Sequence, residues 1–257
     1  MIKSLDRISY LTNSLEEAEK TFSAFFGAKP LKKVISKDRN YESMLYGFEN
    51  MHFEIIKKND DSSEEDKLCG FSLLSDDLTR LNISTSYDEY ENNEESDSKA
   101  QLVKSIDIKQ SPDFQLSVNE YEDFDVNLSN ENNLFALDHL VLTTNKSDAL
   151  INLYEKELGI RLALDQFVEK WGGRMLFFRT NQTTIEAIGI KNEDDEPIDK
   201  AWGLAWTTKD IKKTHARLLS EGVEISDVKN GRKPNTLVAT IKSHTCNIPT
   251  LLIEHLK

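Results

Sequence analysis

The feature that most constrains this chain is that it repeats itself. Leu5-Asp6-Arg7-Ile8-Ser9-Tyr10-Leu11-Thr12-Asn13 reads against Leu137-Asp138-His139-Leu140-Val141-Leu142-Thr143-Thr144-Asn145, so that Asp138 stands 132 positions after Asp6. Gly159 follows Gly27, and Glu186 follows Glu54, at the same spacing, and Trp202-Gly203-Leu204 follows Cys69-Gly70-Phe71 one position later. Landmarks spread this evenly predict two copies of one architecture in tandem.

Each copy divides again. Apolar runs at 4–11, 68–74, 136–143 and 201–207 read as strands, and each precedes a stretch expected to be helical at 14–26, 76–83, 146–158 and 209–221. The first helix carries Leu15, Ala18, Phe22 and Phe25 at helical spacing, a cap at Asn13 or Ser14, and Gly27 as its stop. The second half repeats the pattern with Leu150, Leu153, Tyr154 and Leu158 before Gly159. Runs near 162–168, 174–180 and 183–190 then predict an antiparallel meander, turned at Asn181-Gln182. The fold class is therefore α+β.

Polar, acidic stretches punctuate these units. Lys57 to Lys67 and Lys191 to Lys200 read as equivalent connectors, and Asn92 to Ser98 as a loop in a degenerate second unit. The longest stretch sets the expected organisation: an N-terminal domain over 1–118, an acidic linker over 119–133 and a C-terminal domain over 134–257.

Composition narrows the partners. The 257 residues carry a net charge of −13, which argues against nucleic acid and anionic membrane surfaces, since both demand basic patches. The opening residues hold no apolar run of signal or membrane length, so a cytoplasmic location is expected. Cys69 and Cys246 stand one in each half, and no paired-cysteine motif indicates a disulfide framework or zinc ribbon.

Leu137-Asp138-His139-Leu140-Val141-Leu142, the capped helix ending at Gly159, Gly173-Arg174-Met175-Leu176-Phe177-Phe178-Arg179, the Glu186 strand, Trp202-Gly203-Leu204-Ala205-Trp206, Gly231-Arg232-Lys233-Pro234 and Pro249-Thr250-Leu251-Leu252-Ile253-Glu254 together resemble the vicinal oxygen chelate superfamily. That superfamily includes glyoxalase I, extradiol dioxygenases and bleomycin-resistance proteins. The resemblance is good over 136–256, weaker over 4–60 and weakest over 68–118. It implies four βαβββ units paired into two half-open mixed β-barrels with helices on the outside. It also implies a cleft in the C-terminal half with four metal-ligand positions, occupied here by His139, Glu186, Gly203 and Glu254.

Strand alternation supports that grouping, placing His139 with Val141, Glu186 with Thr184, and Glu254 opposite in phase to Leu251 and Ile253. Gly203 and Ala205 would line the cleft, with Trp202, Leu204 and Trp206 turned away. Against this stand the plainer readings: a structural histidine at 139 and a solvated charge at Glu254. Glu186 is harder to set aside, because a carboxylate facing a cleft is costly to desolvate unless paired or metal-bound. Arg174 and Arg232 read either as surface charges or as contacts to an anionic substrate. His244, in a hairpin with Cys246 and Asn247, reads as exposed, or as an acid or base overhanging the cleft. His215 reads as solvent-facing, and His52 has no evident partner. In the N-terminal half Arg7 replaces the histidine, Gly70 recurs, the counterpart of Glu254 falls near Ser117, and only Glu54 survives. Packing, dimerisation or lid duties are expected of it, and a homodimer is among the expected assemblies.

One imidazole and two carboxylates suit a divalent ion such as Mn, Fe, Ni, Co or Zn. With Glu186 or His244 moving a proton, the resemblance then implies an isomerase or lyase of glyoxalase type acting on a small hydroxy or keto substrate. An extradiol dioxygenase ranks second, because Gly203 removes a second histidine. A metal-free binding protein of bleomycin-resistance type is the alternative from a different class.

Overall fold

The computed structural model describes residues 1–36, 40–59, 65–91, 102–111, 114–122, 135–169, 173–190 and 198–256. In the N-terminal half, β1 (Ile2–Leu11) leads into α1 (Leu15–Phe26) and the strands β2 (Lys32–Ser36), β3 (Tyr41–Gly47) and β4 (His52–Lys58). After these come β5 (Lys67–Ser75), a 3-10 turn (Leu78–Arg80), β6 (Tyr87–Glu91), β7 (Leu102–Ser111) and β8 (Phe114–Tyr121). The C-terminal half repeats the order: β9 (Ala136–Thr144), α2 (Ser147–Ile151) continuing as a π-helix (Asn152–Glu157), β10 (Arg161–Val168), β11 (Gly173–Arg179) and β12 (Thr184–Gly189). Its second unit is β13 (Asp199–Thr207), α3 (Ile211–Ser220), β14 (Lys229–Asn230), β15 (Thr236–Ile241) and β16 (Thr250–His255).

The strands form two eight-stranded mixed sheets with matching orders, β2-β3-β4-β1-β5-β8-β7-β6 and β10-β11-β12-β9-β13-β16-β15-β14. In each sheet the paired units adjoin at their first strands, β1 beside β5 and β9 beside β13; within the second unit of each, the first and last strands pair in parallel, β5 with β8 and β13 with β16, and antiparallel hairpins flank them. The expected α+β architecture of four βαβββ units paired into half-open mixed sheets is thus the one observed.

Local chemistry explains where elements start and stop. Ser14 caps α1 by accepting the Glu17 backbone N–H, and Gly27 ends it at φ 67, a left-handed conformation that a residue with Cβ adopts only at a cost. The helix expected over 76–83 is only the 3-10 turn Leu78–Arg80, because Asn82, Ile83, Ser84 and Thr85 are weak helix formers and the chain leaves Leu81 in extended geometry. The helix expected over 146–158 changes to π geometry from Asn152. Five-residue spacing brings groups into line in a π turn, and here the Asn152 amide reaches the Glu157 carboxylate at 2.8 Å.

Strand β8 continues to Tyr121, so residues 119–121 of the expected linker are sheet; most of that linker, 123–133, lies outside the described residues. Most of the expected connectors at 57–67 and 191–200, and the run 92–98, fall outside them too, although β4 reaches Lys58 and β5 and β13 begin at Lys67 and Asp199.

The chain forms two compact units, each drawing on both halves. One comprises Met1–Arg7, Cys69–Asn127 and Leu140–Ala201; the other comprises Ile8–Leu68, Leu128–His139 and Trp202–Lys257. In the first, Tyr154 packs edge-on against Phe178 at 5.0 Å and against Phe71. Glu157, itself buried, accepts the backbone N–H and hydroxyl of both Ser84 and Thr85. In the second, Trp206 is 1% exposed and lies 4.7 Å from Phe48 and 5.2 Å from Phe26, ring to ring. Arg217 of α3 stands over Phe135 and donates to the carbonyls of Ala24 and Phe25, which the end of α1 leaves without intrahelical partners.

Candidate functional site

Strand β9 begins under tight control. The Asn50 side chain, 6% exposed, clamps Leu137 from both sides, its Nδ2 donating to the Leu137 carbonyl and its Oδ1 accepting the Leu137 N–H. The next residue is Asp138, whose carboxylate is shared between two imidazoles: Oδ1 lies 2.8 Å from His139 Nδ1, and Oδ2 lies 2.5 Å from His255 Nε2. His255 is fixed by the β15–β16 ladder, where it faces Thr236. Burial alone would raise the Asp138 carboxyl, but the hydrogen bonds from the two imidazoles outweigh it and hold the group down at about 2. The side chains of His139 and His255 keep 21% and 41% of their surface exposed, so the charged carboxylate sits behind two accessible rings.

Glu254 takes a different part from the one its position in the sequence implies. Its Oε2 accepts the backbone N–H of Ile211 at 2.8 Å, satisfying the first turn of α3. The N-terminal half carries the same device: Glu120 Oε2 accepts the backbone N–H of Leu78 at 2.9 Å. Ladder register identifies the two as counterparts, since Phe71 pairs with Leu116 while its equivalent Leu204 pairs with Thr250, so that residue 120 corresponds to 254 and Tyr121 to His255. The counterpart of Glu254 is therefore Glu120 and not Ser117, whose own equivalent is Leu251. Parity along β16 puts Glu254 with the buried Leu252, while Leu251, Ile253 and His255 share the other face; the phase is the expected one, but Leu251 is only half-buried and Leu252 is the core residue.

Gly203 is held against the neighbouring strand. A Cβ there would meet the Pro249 carbonyl oxygen at 2.7 Å, so an imidazole at this position would require the backbone to move. Ala205 is fully buried opposite Leu251 and does not line an open cleft; Leu204 and Trp206 are buried as well, while Trp202 is 53% exposed. Glu186 lies in the other compact unit, half-buried on β12 opposite Phe177 of β11. Among the described residues no group of three or more His, Cys, Asp or Glu side chains is arranged to hold a metal ion. Glu254 thus spends one carboxylate oxygen on α3, and Gly203 is backed by Pro249.

The remaining candidates have local roles. Arg174 donates from Nε and Nη2 to Asp165 and from Nη1 to Asp148, and these carboxylates raise its pKa further, so its charge is already neutralised within the protein. Arg232 is exposed in the turn between β14 and β15. His244 sits at φ 59 in a turn, its Nδ1 2.9 Å from the Ser243 hydroxyl, next to Cys246 and Asn247, which also have positive φ. His215 is half-buried, with Nε2 3.1 Å from the Ser226 carbonyl, instead of facing solvent.

Asp138 and His255 are the residues that sequence reasoning passed over. A signal was present: Asp138 repeats Asp6, and in the first unit Asp6 is again a hub, accepting from Ser72 at 2.9 Å, Asn119 at 2.7 Å and Tyr121 at 2.9 Å, with Arg7 donating to both Asp6 and Tyr121.

Residues 136–244 match the family model described as the Glyoxalase/Bleomycin resistance protein/Dioxygenase superfamily. No curated protein sequence matches the chain. Among solved structures, a mutant of 4-hydroxymandelate synthase from Streptomyces coelicolor superposes with a TM-score of 0.73 at 12% identity, covering 99% of this chain and 93% of that one. BphC, a halotolerant catechol dioxygenase, superposes with a TM-score of 0.65 at 11% identity, covering 99% and 87%. At such identities the likeness is one of fold. No helix among the described residues is long and apolar enough to cross a membrane.

Proposed function

From a segment, residues 136–244, that matches the model of the glyoxalase, bleomycin-resistance and dioxygenase superfamily, we propose that this chain is a small-molecule-binding protein that takes a small hydroxy or keto compound without a three-donor metal centre. The observation that carries this reading is the paired use of Glu120 and Glu254. A carboxylate that performs one structural task in both halves, including the half where Arg7 stands in place of the histidine, has its role explained without an ion. Gly203 adds to this, because the second imidazole of an extradiol-type site has no room there. The Asp138 carboxylate and the partly exposed imidazole of His255 that it holds can exchange hydrogen bonds with a ligand hydroxyl or carbonyl.

The test is metal content measured by plasma mass spectrometry on protein purified without an affinity tag. The expected result is no stoichiometric divalent ion and no change in His139→Ala. Stoichiometric Mn, Fe, Ni, Co or Zn that is lost in His139→Ala and in Glu186→Ala would overturn the reading. It would return the chain to a metal-dependent isomerase or lyase, in which a bound ion supplies a Lewis acid.

A further inference from the structure

The arginines of β10 and β11 differ in how their charge is met. Arg174 is bonded to Asp165 and Asp148, so its charge is neutralised within the protein. Arg179, at the end of the same strand, stands directly opposite Arg161 of β10 in the antiparallel ladder. Both are exposed, and among the described residues neither has a carboxylate partner; Arg179 Nη1 donates to the Thr184 hydroxyl at 2.7 Å. Residues opposite one another in such a ladder lie about 5 Å apart at their Cα atoms, and like charges there destabilise the pair. In a chain of net charge −13, two cations left side by side in this way call for an explanation. The fold does not supply one. Register matches Phe177 and Glu186 to Leu45 and Glu54, so the counterpart of Arg179 in the N-terminal half is Gly47, and the same architecture forms without the pair.

Pairing also shows what lies beside the two guanidinium groups. Leu176, Phe178, Ile185 and Ala187 are fully buried, and Phe178 meets Tyr154 of the π-helix, so theirs is the helix-packed face of the sheet. Phe177 and Arg179 belong to the opposite face, and Phe177 is paired with Leu164 of β10, which is 44% exposed. The bulge at Ala163 keeps Arg161 and Leu164 on that same face although they are three positions apart. We propose that this face of the first compact unit binds an apolar carboxylate, with Arg161 and Arg179 holding the carboxylate and the apolar body lying over Phe177 and Leu164. Guanidinium groups present N–H donors in the geometry that carboxylate oxygens accept. A monoanion is favoured over a phosphate dianion, because the net negative charge of the chain repels the second charge at long range. The inference goes beyond the small-molecule reading above and does not rest on it, since Asp138 and His255 belong to the other compact unit.

The experiment is a titration of the full chain with hydrocinnamate, followed by 1H–15N NMR of the backbone amides. The expected result is saturable shifts at Arg161, Leu164, Phe177 and Arg179, with an affinity that falls about tenfold in Arg161→Gln and in Arg179→Gln and weakens with added salt. Lys213→Gln, which removes an equal charge from the exposed side of α3, should leave the affinity unchanged. Hydrocinnamyl alcohol, which keeps the ring without the charge, and acetate, which keeps the charge without the ring, should each bind about tenfold more weakly or less. Urea unfolding should show both arginine variants folded, with the midpoint of Arg161→Gln at or above that of the native chain, since one of two like charges is gone. Unchanged affinity in both arginine variants, or equal binding of the alcohol, overturns the anion site. Inorganic phosphate that moves the same amides at the same or lower concentration overturns the choice of a carboxylate. Shifts confined to other residues, or none that saturate up to about 10 mM, overturn the site itself.

Discussion

Glu157 shows how much one side chain can carry in this fold. It is 7% exposed and accepts from Asn152 and from the backbone and hydroxyls of Ser84 and Thr85. Burial pushes the carboxyl up, but hydrogen bonds from Ser84 and Thr85 outweigh it and hold the pKa below the usual glutamate range. A depressed folded value means stability that is present above the unfolded value of about 4.3 and is lost as pH falls through the folded value. Urea unfolding followed against pH should therefore show this acid-side loss in the native chain and its absence in Glu157→Gln. Glu157→Ala should cost about 3 kcal/mol, since it strands several half-buried donors at once. At Gly203 the limit is steric: Gly203→Ala places a methyl against the Pro249 carbonyl, with an expected loss of about 1–3 kcal/mol by the same measurement. These residues also mark how far sequence could go. Gly203 announces itself as an odd glycine in an apolar strand, whereas Ser84 and Thr85, which supply most of the donors to Glu157, lie more than seventy positions away, where no local pattern points to them.

At the scale of elements, strand position and helix ends were legible because alternation, capping and glycine stops are local. β1, β5, β9 and β13, α1 with its Ser14 and Gly27 caps, and the meander β10 to β12 lie within a few residues of where periodicity puts them. What local pattern could not supply was the partner of Glu254. Alternation puts it opposite Leu251 and Ile253, but the first turn of α3, more than forty positions earlier, is what captures its carboxylate. Glu254→Ala should lower stability by about 1–2 kcal/mol, as loss of an N-terminal helix partner does, with Glu254→Gln recovering part of it. Glu120→Ala should give a smaller loss, because it supports only the 3-10 turn at Leu78–Arg80. Chemical denaturation of the variants, compared with that of the native chain, measures both.

The whole molecule is a duplication in which the two copies kept their scaffold and changed their polar fittings. The matching strand orders of the two sheets follow from the repeat, and that repeat was visible in the sequence from the spacing of Asp6 and Asp138, Gly27 and Gly159, and Glu54 and Glu186. The polar differences were not visible, because they depend on which strands become neighbours: Ser72 and Asn119 meet Asp6 only once β5 and β8 lie side by side.

The reach of Arg217 carries a consequence for how the chain is made. The end of α1 is emitted early from the ribosome, yet the guanidinium that covers the carbonyls of Ala24 and Phe25, and the indole of Trp206 that covers Phe26, come from the last quarter of the sequence. Loops that long are slow to close, so during synthesis the first helix must wait with an apolar face uncovered. A nascent chain halted before Trp206 should be cut by protease within α1, residues 15–26, and one that includes α3 and the strands after it should resist.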